Sequence, residues 1–198
     1  MKTQQFLLPV VFVLLSACGG SGGSSETAVR RDGVVVALTP GADLRDVNLQ
    51  DKNLRGVDLR DANLANADLT GANLRDANLA GADMVGARIG NADLQDADLQ
   101  DADLQDAILF GSILEGANLQ GANLLKANLQ RANLQGANLT DASLYYTNLV
   151  NADLRDAILI GANLTGTDLM DANLKDADLS GVDLTGAIRC PSLVAERC

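Results

Sequence analysis

Carboxylates and cysteines are the side chains of this chain whose chemistry could define a site. The 198 residues include no histidine, and 26 acidic residues outnumber 15 basic ones, giving a formal net charge of −11. Carboxylates in a group can bind calcium or perform acid–base catalysis. The densest group has no basic neighbour in sequence and consists of Asp93, Asp96, Asp98, Asp101, Asp103 and Asp106. Its chemistry depends on whether the fold brings these side chains together.

The first cysteine, Cys18, follows an apolar segment that runs from Phe6 to Ala17. Twelve residues are too few to cross a bilayer, which takes about 20, but they suit a secretory leader. The segment ends in Leu15-Ser16-Ala17-Cys18, which resembles the bacterial lipobox. The resemblance implies that residues 1–17 are a lipoprotein signal peptide cut between Ala17 and Cys18. It also implies that Cys18 carries acyl chains such as palmitate, which anchor the exported protein to the cell membrane or outer membrane. A plain signal peptide with an incidental cysteine is the alternative.

Residues 18–33 begin with a Gly- and Ser-rich stretch and are predicted to form a flexible linker. If Cys18 is lipidated, Cys190 and Cys198 remain as a pair that closes a short loop. In an oxidising compartment such a pair is expected to form a disulfide. A metal site is not expected, because there is no histidine and no third thiolate nearby.

A period of five residues organises the rest of the chain. From Leu44 to Leu184 every fifth residue is apolar, and 27 of these 29 positions are Leu, with Met84 and Ile89 as the exceptions. A small residue, usually Ala, stands two positions before each Leu, and Asn or Asp usually stands between them. Residues two apart face the same way in an extended segment, and the two following positions are rich in turn formers. Each unit is therefore predicted to be a short strand and a turn, stacked on its neighbours as in a solenoid.

These units resemble the pentapeptide-repeat family, whose motif A(D/N)LXX stands here as Ala62-Asn63-Leu64 and Ala122-Asn123-Leu124, among many. The resemblance covers residues 41–188. It implies an all-β fold, a right-handed quadrilateral β-helix of about seven coils with four units in each 20-residue coil. Residues 34–40 are predicted to form an N-terminal cap strand, and residues 189–198 a C-terminal cap loop.

The outward positions are read with this 20-residue register. Because the chain turns after every unit, the six aspartates are expected to ring the rod, so neither a calcium site nor a catalytic pair is favoured. Apolar side chains at outward positions in the C-terminal half predict an interface for a homodimer or a protein partner. They are Phe110, Leu125, Tyr145, Tyr146, Val150 and Met170. Ile108, Ile113 and Ile158 also replace the usual Asn or Asp.

The sequence favours a non-enzymatic, membrane-anchored scaffold that acts structurally or binds protein in the cell envelope. An enzyme is not expected, because there is no histidine and no phosphate-binding loop, and neither a cofactor nor a small-molecule substrate is indicated. The negative charge argues against direct nucleic-acid binding. The resemblance to the pentapeptide-repeat family implies an alternative, an acidic DNA mimic that binds and protects or inhibits a topoisomerase such as DNA gyrase. The lipobox argues against it, since gyrase is cytoplasmic.

Overall fold

Two short strands precede the repeats. The computed structural model describes residues 27–29, 35–192 and 194. Strand β1 (Thr27–Val29) pairs antiparallel with β2 (Val35–Ala37). Ala28 and Leu38 are buried and join the hydrophobic core. Strand β2 lies within residues 34–40, for which a cap strand is predicted, and β1 lies within residues 18–33, for which a linker is predicted. Ala28 of β1 packs against the hydrophobic core.

Four ladders of isolated parallel bridges build the rest of the fold. Every bridge joins residues 20 apart, as in Asp43 to Asn63 and Asn63 to Asp83, so one coil takes four pentapeptides. The ladders start at Asp43, Asn48, Asn53 and Asp58, and we call the surfaces outside them the first, second, third and fourth faces. The described residues contain no helix, and hence none with the length and apolarity that a membrane crossing needs. The described repeats form a β-helix.

The regular unit gives all five of its backbone N–H groups an acceptor. In the unit 62–66, one amide bonds within its coil, three bond to adjacent coils, and the fourth residue's amide bonds to the Asn63 side chain. The bonds are Ala62 N to Leu59 O 3.1 Å, Asn63 N to Ala42 O 2.9 Å, Leu64 N to Asp83 O 2.6 Å, Ala65 N to Asn63 Oδ1 3.1 Å and Asn66 N to Val85 O 2.9 Å. The Asn or Asp of the motif is therefore a backbone acceptor, which explains its recurrence.

The interior consists of stacked aliphatic side chains. Every fifth residue from Leu44 to Leu174, and again Leu184, is at most 2% exposed, and the alanines two positions earlier are also buried except for the half-buried Ala42. Three hydroxyls replace alanine in this interior, and each donates a hydrogen bond to a leucine carbonyl. They are Ser112 Oγ to Leu109 O 2.8 Å, Thr147 Oγ1 to Leu124 O 2.7 Å and Thr167 Oγ1 to Leu144 O 2.6 Å. Burial of these polar groups therefore leaves none of them unsatisfied.

The two ends of the stack are less regular. Lys52 occupies an inward position in the first coil, yet it is exposed, because that end of the coil opens to solvent. At the other end Leu179 is half-buried, while Val194 is 6% exposed and donates its backbone N–H to Pro191 O at 3.0 Å. Arg189 forms an ion pair with Asp168, which is itself only 9% exposed. Polar and apolar contacts thus cover the C-terminal end.

Candidate functional site

Corners with unusual residues border the second face. From Gly41 to Gly181 each unit turns through a residue with positive φ, and that residue is Asp, Asn or Gly at all but three corners. The exceptions are Lys126 (φ 57°), Arg131 (φ 61°) and Tyr146 (φ 56°). Side chains other than Asn and Asp rarely enter this conformation, which costs roughly 1–2 kcal/mol in the left-handed helical region. Such strain favours a functional hypothesis at the place where it is found.

The register places all three corners around one surface. Lys126 and Tyr146 lie one above the other at the corner where the chain enters the second face, and Arg131 lies at the corner where it leaves. Tyr145 precedes Tyr146, and Phe110 lies one coil before Gln130, next to Arg131. We call Phe110, Lys126, Arg131, Tyr145 and Tyr146 the aromatic–basic patch. All except the half-buried Phe110 are exposed.

Direct contacts hold the aromatic rings of this patch. The Tyr145 and Tyr146 rings pack edge to face with centroids 4.4 Å apart. A hydrogen bond with Tyr146 raises the pKa of Tyr145. A Cβ built at Gly166 would lie 2.6 Å from Tyr146 Cδ1, so the tyrosine ring lies against the glycine of the next coil. The Arg131 guanidinium carbon lies 5.8 Å from the Phe110 ring centroid, within cation–π range.

The remaining predicted interface residues divide into two groups. Leu125 is half-buried beside Lys126, and Met170 is 41% exposed at the corner that follows Asp168. Val150 differs from the expectation of an open outward position, because it is only 9% exposed between the coils on either side. Val150 can support its neighbours, but it offers little surface to a partner.

The isoleucines that replace Asn or Asp do not form one surface. Ile108 lies on the second face, near the aromatic–basic patch, whereas Ile113 lies on the third face and Ile158 on the fourth. They are 44%, 39% and 39% exposed, respectively. Only Ile108 extends the patch. An isoleucine also cannot accept the backbone N–H that Asn or Asp accepts in the other units.

The acidic residues do not converge. Asp93, Asp98 and Asp103 lie on the third, fourth and first faces, and the described part of the chain contains no group of three carboxylate, thiol or imidazole side chains arranged to hold a metal ion. Where the pKa of a described carboxyl is clearly shifted, it is lowered. At Asp153 the main cause is a hydrogen bond from Arg155, and at Asp178 one from Ser180. General acid–base catalysis near neutral pH requires the opposite shift.

A depression of about 540 Å³ lies at the C-terminal end, against Leu174, Leu179 and Val194. Its polar side chains are Asp176, Asp178 and Ser180, and a hydrogen bond from Ser180 lowers the pKa of Asp178. Nothing in the lining provides the pair of acid and base that a hydrolytic or transfer reaction needs.

The predicted cysteine chemistry lies largely outside the described residues. Ala17, Cys18 and Cys198 are among the residues that the structure does not describe. Cys190 is disulfide-bonded, and its partner is not among the described residues. The pairing with Cys198, the cleavage site and the lipidation of Cys18 stay predictions.

A stack of coils with four repeat units in each coil, whose varied side chains lie on the outer surface, defines a solenoid repeat protein. The family of pentapeptide repeats matches residues 41–76, 72–111, 112–148 and 147–186. The chain belongs to the pentapeptide-repeat family. No protein of curated function matches it.

Several solved structures are similar to the chain. Rfr23, a pentapeptide repeat protein from the cyanobacterium Cyanothece 51142, is 39% identical over 56% of this chain and 58% of its own, with a TM-score of 0.33; this chain therefore spans less than two thirds of Rfr23. HetL from Nostoc sp. strain PCC 7120, involved in heterocyst differentiation regulation, is 31% identical over 76% of this chain and 88% of its own, with a TM-score of 0.26. Full-length QnrB1, a plasmid-mediated fluoroquinolone resistance protein, is 20% identical over 75% of this chain and 93% of its own, with a TM-score of 0.25.

Proposed function

We propose that this protein is a non-enzymatic scaffold of the cell envelope. In this proposal a lipid anchors it to a membrane, and its second face binds another protein. The observation that carries the binding role is the aromatic–basic patch, where strained corners hold aromatic and cationic side chains in solvent. Tyr and Arg are the residue types that most often dominate protein interfaces. The regular interior supports a rigid rod, which presents such side chains at fixed spacing.

The finer architecture in this proposal is a right-handed quadrilateral β-helix of about seven coils. The ladder of the second face supports it, since seven bridges run from Asn48 to Ile188 at steps of 20 residues. With about 4.8 Å between neighbouring strands, such a rod is roughly 35 Å long. A crystal structure would show the handedness and the number of coils directly, and a left-handed path would contradict this part of the proposal.

The anchor rests on the sequence Leu15-Ser16-Ala17-Cys18. Cells that produce the protein would be labelled with radioactive palmitate, and the protein would be recovered from the membrane fraction. We expect label on the unaltered chain and none on Cys18→Ala. Cys190→Ala is the matched control, since it removes a cysteine and should keep the label. Equal labelling of Cys18→Ala and the unaltered chain would refute the anchor.

The patch is tested separately by the mass of the protein in solution. Phe110→Ser combined with Tyr145→Ser removes two exposed or half-exposed rings without touching the interior. If a homodimer forms through the patch, this variant is expected to be a monomer in sedimentation equilibrium. An unchanged oligomer would exclude the homodimer and leave a different protein as the partner.

An acidic DNA mimic that protects or inhibits a topoisomerase such as gyrase is the competing proposal. The net charge of −11 favours it, because a DNA mimic must carry negative charge. Fractionation separates the two functions: membrane-bound, lipidated protein supports the scaffold, and unlipidated protein in the cytoplasm supports the DNA mimic.

A further inference from the structure

Two cations of the aromatic–basic patch differ from the other cations of the rod. Of the eleven Lys and Arg side chains that the structure describes, eight lie within 4 Å of an aspartate oxygen. Lys52, Lys126 and Arg131 form no such pair with the described residues. Lys52 lies at the open N-terminal end. Lys126 and Arg131 belong to one coil and stand at opposite corners of the second face.

The absence of ion pairs at Lys126 and Arg131 contrasts with the surplus of carboxylates. With 26 acidic residues in the chain, a cation has many nearby carboxylates to pair with, and Arg155 and Arg60 each bond an aspartate two residues before them at 2.6 and 2.7 Å. The residues two before Lys126 and Arg131 are the buried Leu124 and Leu129. Their units also carry Asn123 and Asn128 at the position where other units have Asp, so neither cation has an aspartate in its own unit.

The same corner position is unfavourable for the backbone. Lys126 and Arg131 hold φ of 57° and 61°, and the neighbouring Tyr146 holds 56°, where the rest of the repeats use Asp, Asn or Gly. Asn at these positions would fit the turn better. The chain thus carries three side chains at a cost in stability, and all three border one face.

Between the two corners the face is polar and uncharged in that coil and in the next. Asn128 and Asn148 follow one another on the ladder of the second face, each half-buried, with its side-chain oxygen accepting a backbone N–H. A partner that crosses this surface meets two cations, amide groups and the rings of Phe110, Tyr145 and Tyr146. The complementary surface is acidic and includes apolar side chains.

From this geometry we infer that the aromatic–basic patch docks an acidic segment of another polypeptide, which interleaves carboxylates with apolar side chains. The inference rests on the proposed docking role and names its partner by chemistry. A symmetric dimer through the same patch is disfavoured, because it would bring the cations Lys126 and Arg131 against the same two cations of a second copy. An acidic partner instead meets the one face where unpaired cations stand at both corners.

The test titrates the full chain, purified in mild detergent, against a fluorescein-labelled peptide of twelve alternating Glu and Leu residues. Fluorescence anisotropy is expected to show binding that weakens as sodium chloride rises, since exposed ion pairs are screened. Lys126→Asn combined with Arg131→Asn is expected to lose about tenfold in affinity, as two exposed ion pairs together allow. The same variant should melt about 2–4 °C higher, because Asn relieves backbone strain at both corners.

Lys52→Asn is the matched control, because it removes the third unpaired cation at the far end of the rod, and it should bind as the unaltered chain does. Equal affinity of the double variant and the unaltered chain would overturn the inference. So would equal binding of a peptide of alternating Lys and Leu. Tighter binding of heparin or of single-stranded DNA would assign the patch to sulfate or phosphate instead of polypeptide carboxylates and would also overturn it.

The outcomes also separate this inference from the docking role itself. If the acidic peptide fails to bind, yet Phe110→Ser with Tyr145→Ser changes the mass of the protein in solution, the patch is an interface. The inference that its partner is acidic is then wrong. If neither experiment shows an effect of the patch, the patch binds neither an acidic segment nor a second copy of this chain.

Discussion

Every coil has a corner where the chain enters the second face, and different residues occupy this corner in the two halves of the molecule. Asp46, Asn66, Gly86 and Asp106 occupy it in the N-terminal half, followed by Lys126, Tyr146 and Gly166 in the C-terminal half. The φ angles of Asn66 and Lys126 are both 57°, so the backbone does not change where the residues do. In the N-terminal half the residue fits the turn. At Lys126 and Tyr146 the turn is kept although the residue disfavours it, so the residues that form the rod can be distinguished from those that vary on its surface.

The largest effect is expected in the buried interior, whose contribution to stability should be equal in both halves. Leu74 and Leu154 lie on the third face at equal distances from the ends of the repeat array and are both fully buried. Leu74→Ala and Leu154→Ala are each expected to lower the free energy of unfolding by about 3 kcal/mol, through lost burial and a cavity. Urea denaturation measures both. A loss confined to one half would show that the interior is not uniform.

The two halves also differ in whether a side-chain oxygen accepts a backbone N–H, and a smaller effect on stability is expected there. On the fourth face Asn78 Oδ1 accepts the Ala80 N–H at 3.2 Å, whereas Ile158 offers nothing to Ile160. Asn78→Ala should lower stability by about 1 kcal/mol, the usual net value of a hydrogen bond. Ile158→Asn should raise it by a similar amount in the same denaturation experiment. Destabilisation by Ile158→Asn would contradict the role assigned to the motif asparagine.

The corners allow a reciprocal exchange between the halves. Asn66→Lys places in the N-terminal half the residue found at position 126, and its expected cost is about 1 kcal/mol, since Lys lacks the local hydrogen bonding that lets Asn adopt positive φ. Lys126→Asn should be stabilising by a similar amount. Thermal unfolding of the two variants measures both changes. Changes of the same sign would remove the argument that Lys126 is held against its preference.

Ion pairs should show the smallest difference between the halves. A hydrogen bond from Arg60 lowers the pKa of Asp58, and one from Arg155 lowers that of Asp153. Because the folded pKa lies below the unfolded value of about 3.9, this contribution to stability is complete above that pH and is lost as pH falls through the folded pKa. NMR titration of the two carboxyl carbons should give midpoints below 3.9 in both halves. A midpoint above it at either residue would contradict the pairing.

The sequence alone predicts the interior better than the surface. A strict period of five with Leu and Ala two apart requires a stack, and the bridges 20 residues apart confirm four units per coil. The pattern cannot show that Val150 is covered, because that depends on how the coils on either side enclose it. Nor does it predict β1, which lies in a segment of low regularity. Lys126 and Arg131 occupy positions at which the register predicts Gly, Asp or Asn, so the sequence alone shows that these two residues are unusual. The sequence does not show that they lack ion pairs, since this depends on three-dimensional distances.

Hydrogen–deuterium exchange of the full chain, with and without the peptide of alternating Glu and Leu, tests most directly whether binding is confined to the second face of the C-terminal half. Residues 126–131 and 145–151 should exchange more slowly when the peptide is present, while residues 61–86 should not change. Protection spread evenly along the rod, or found at residues 91–106 instead, would contradict the division between a uniform scaffold and a local docking surface.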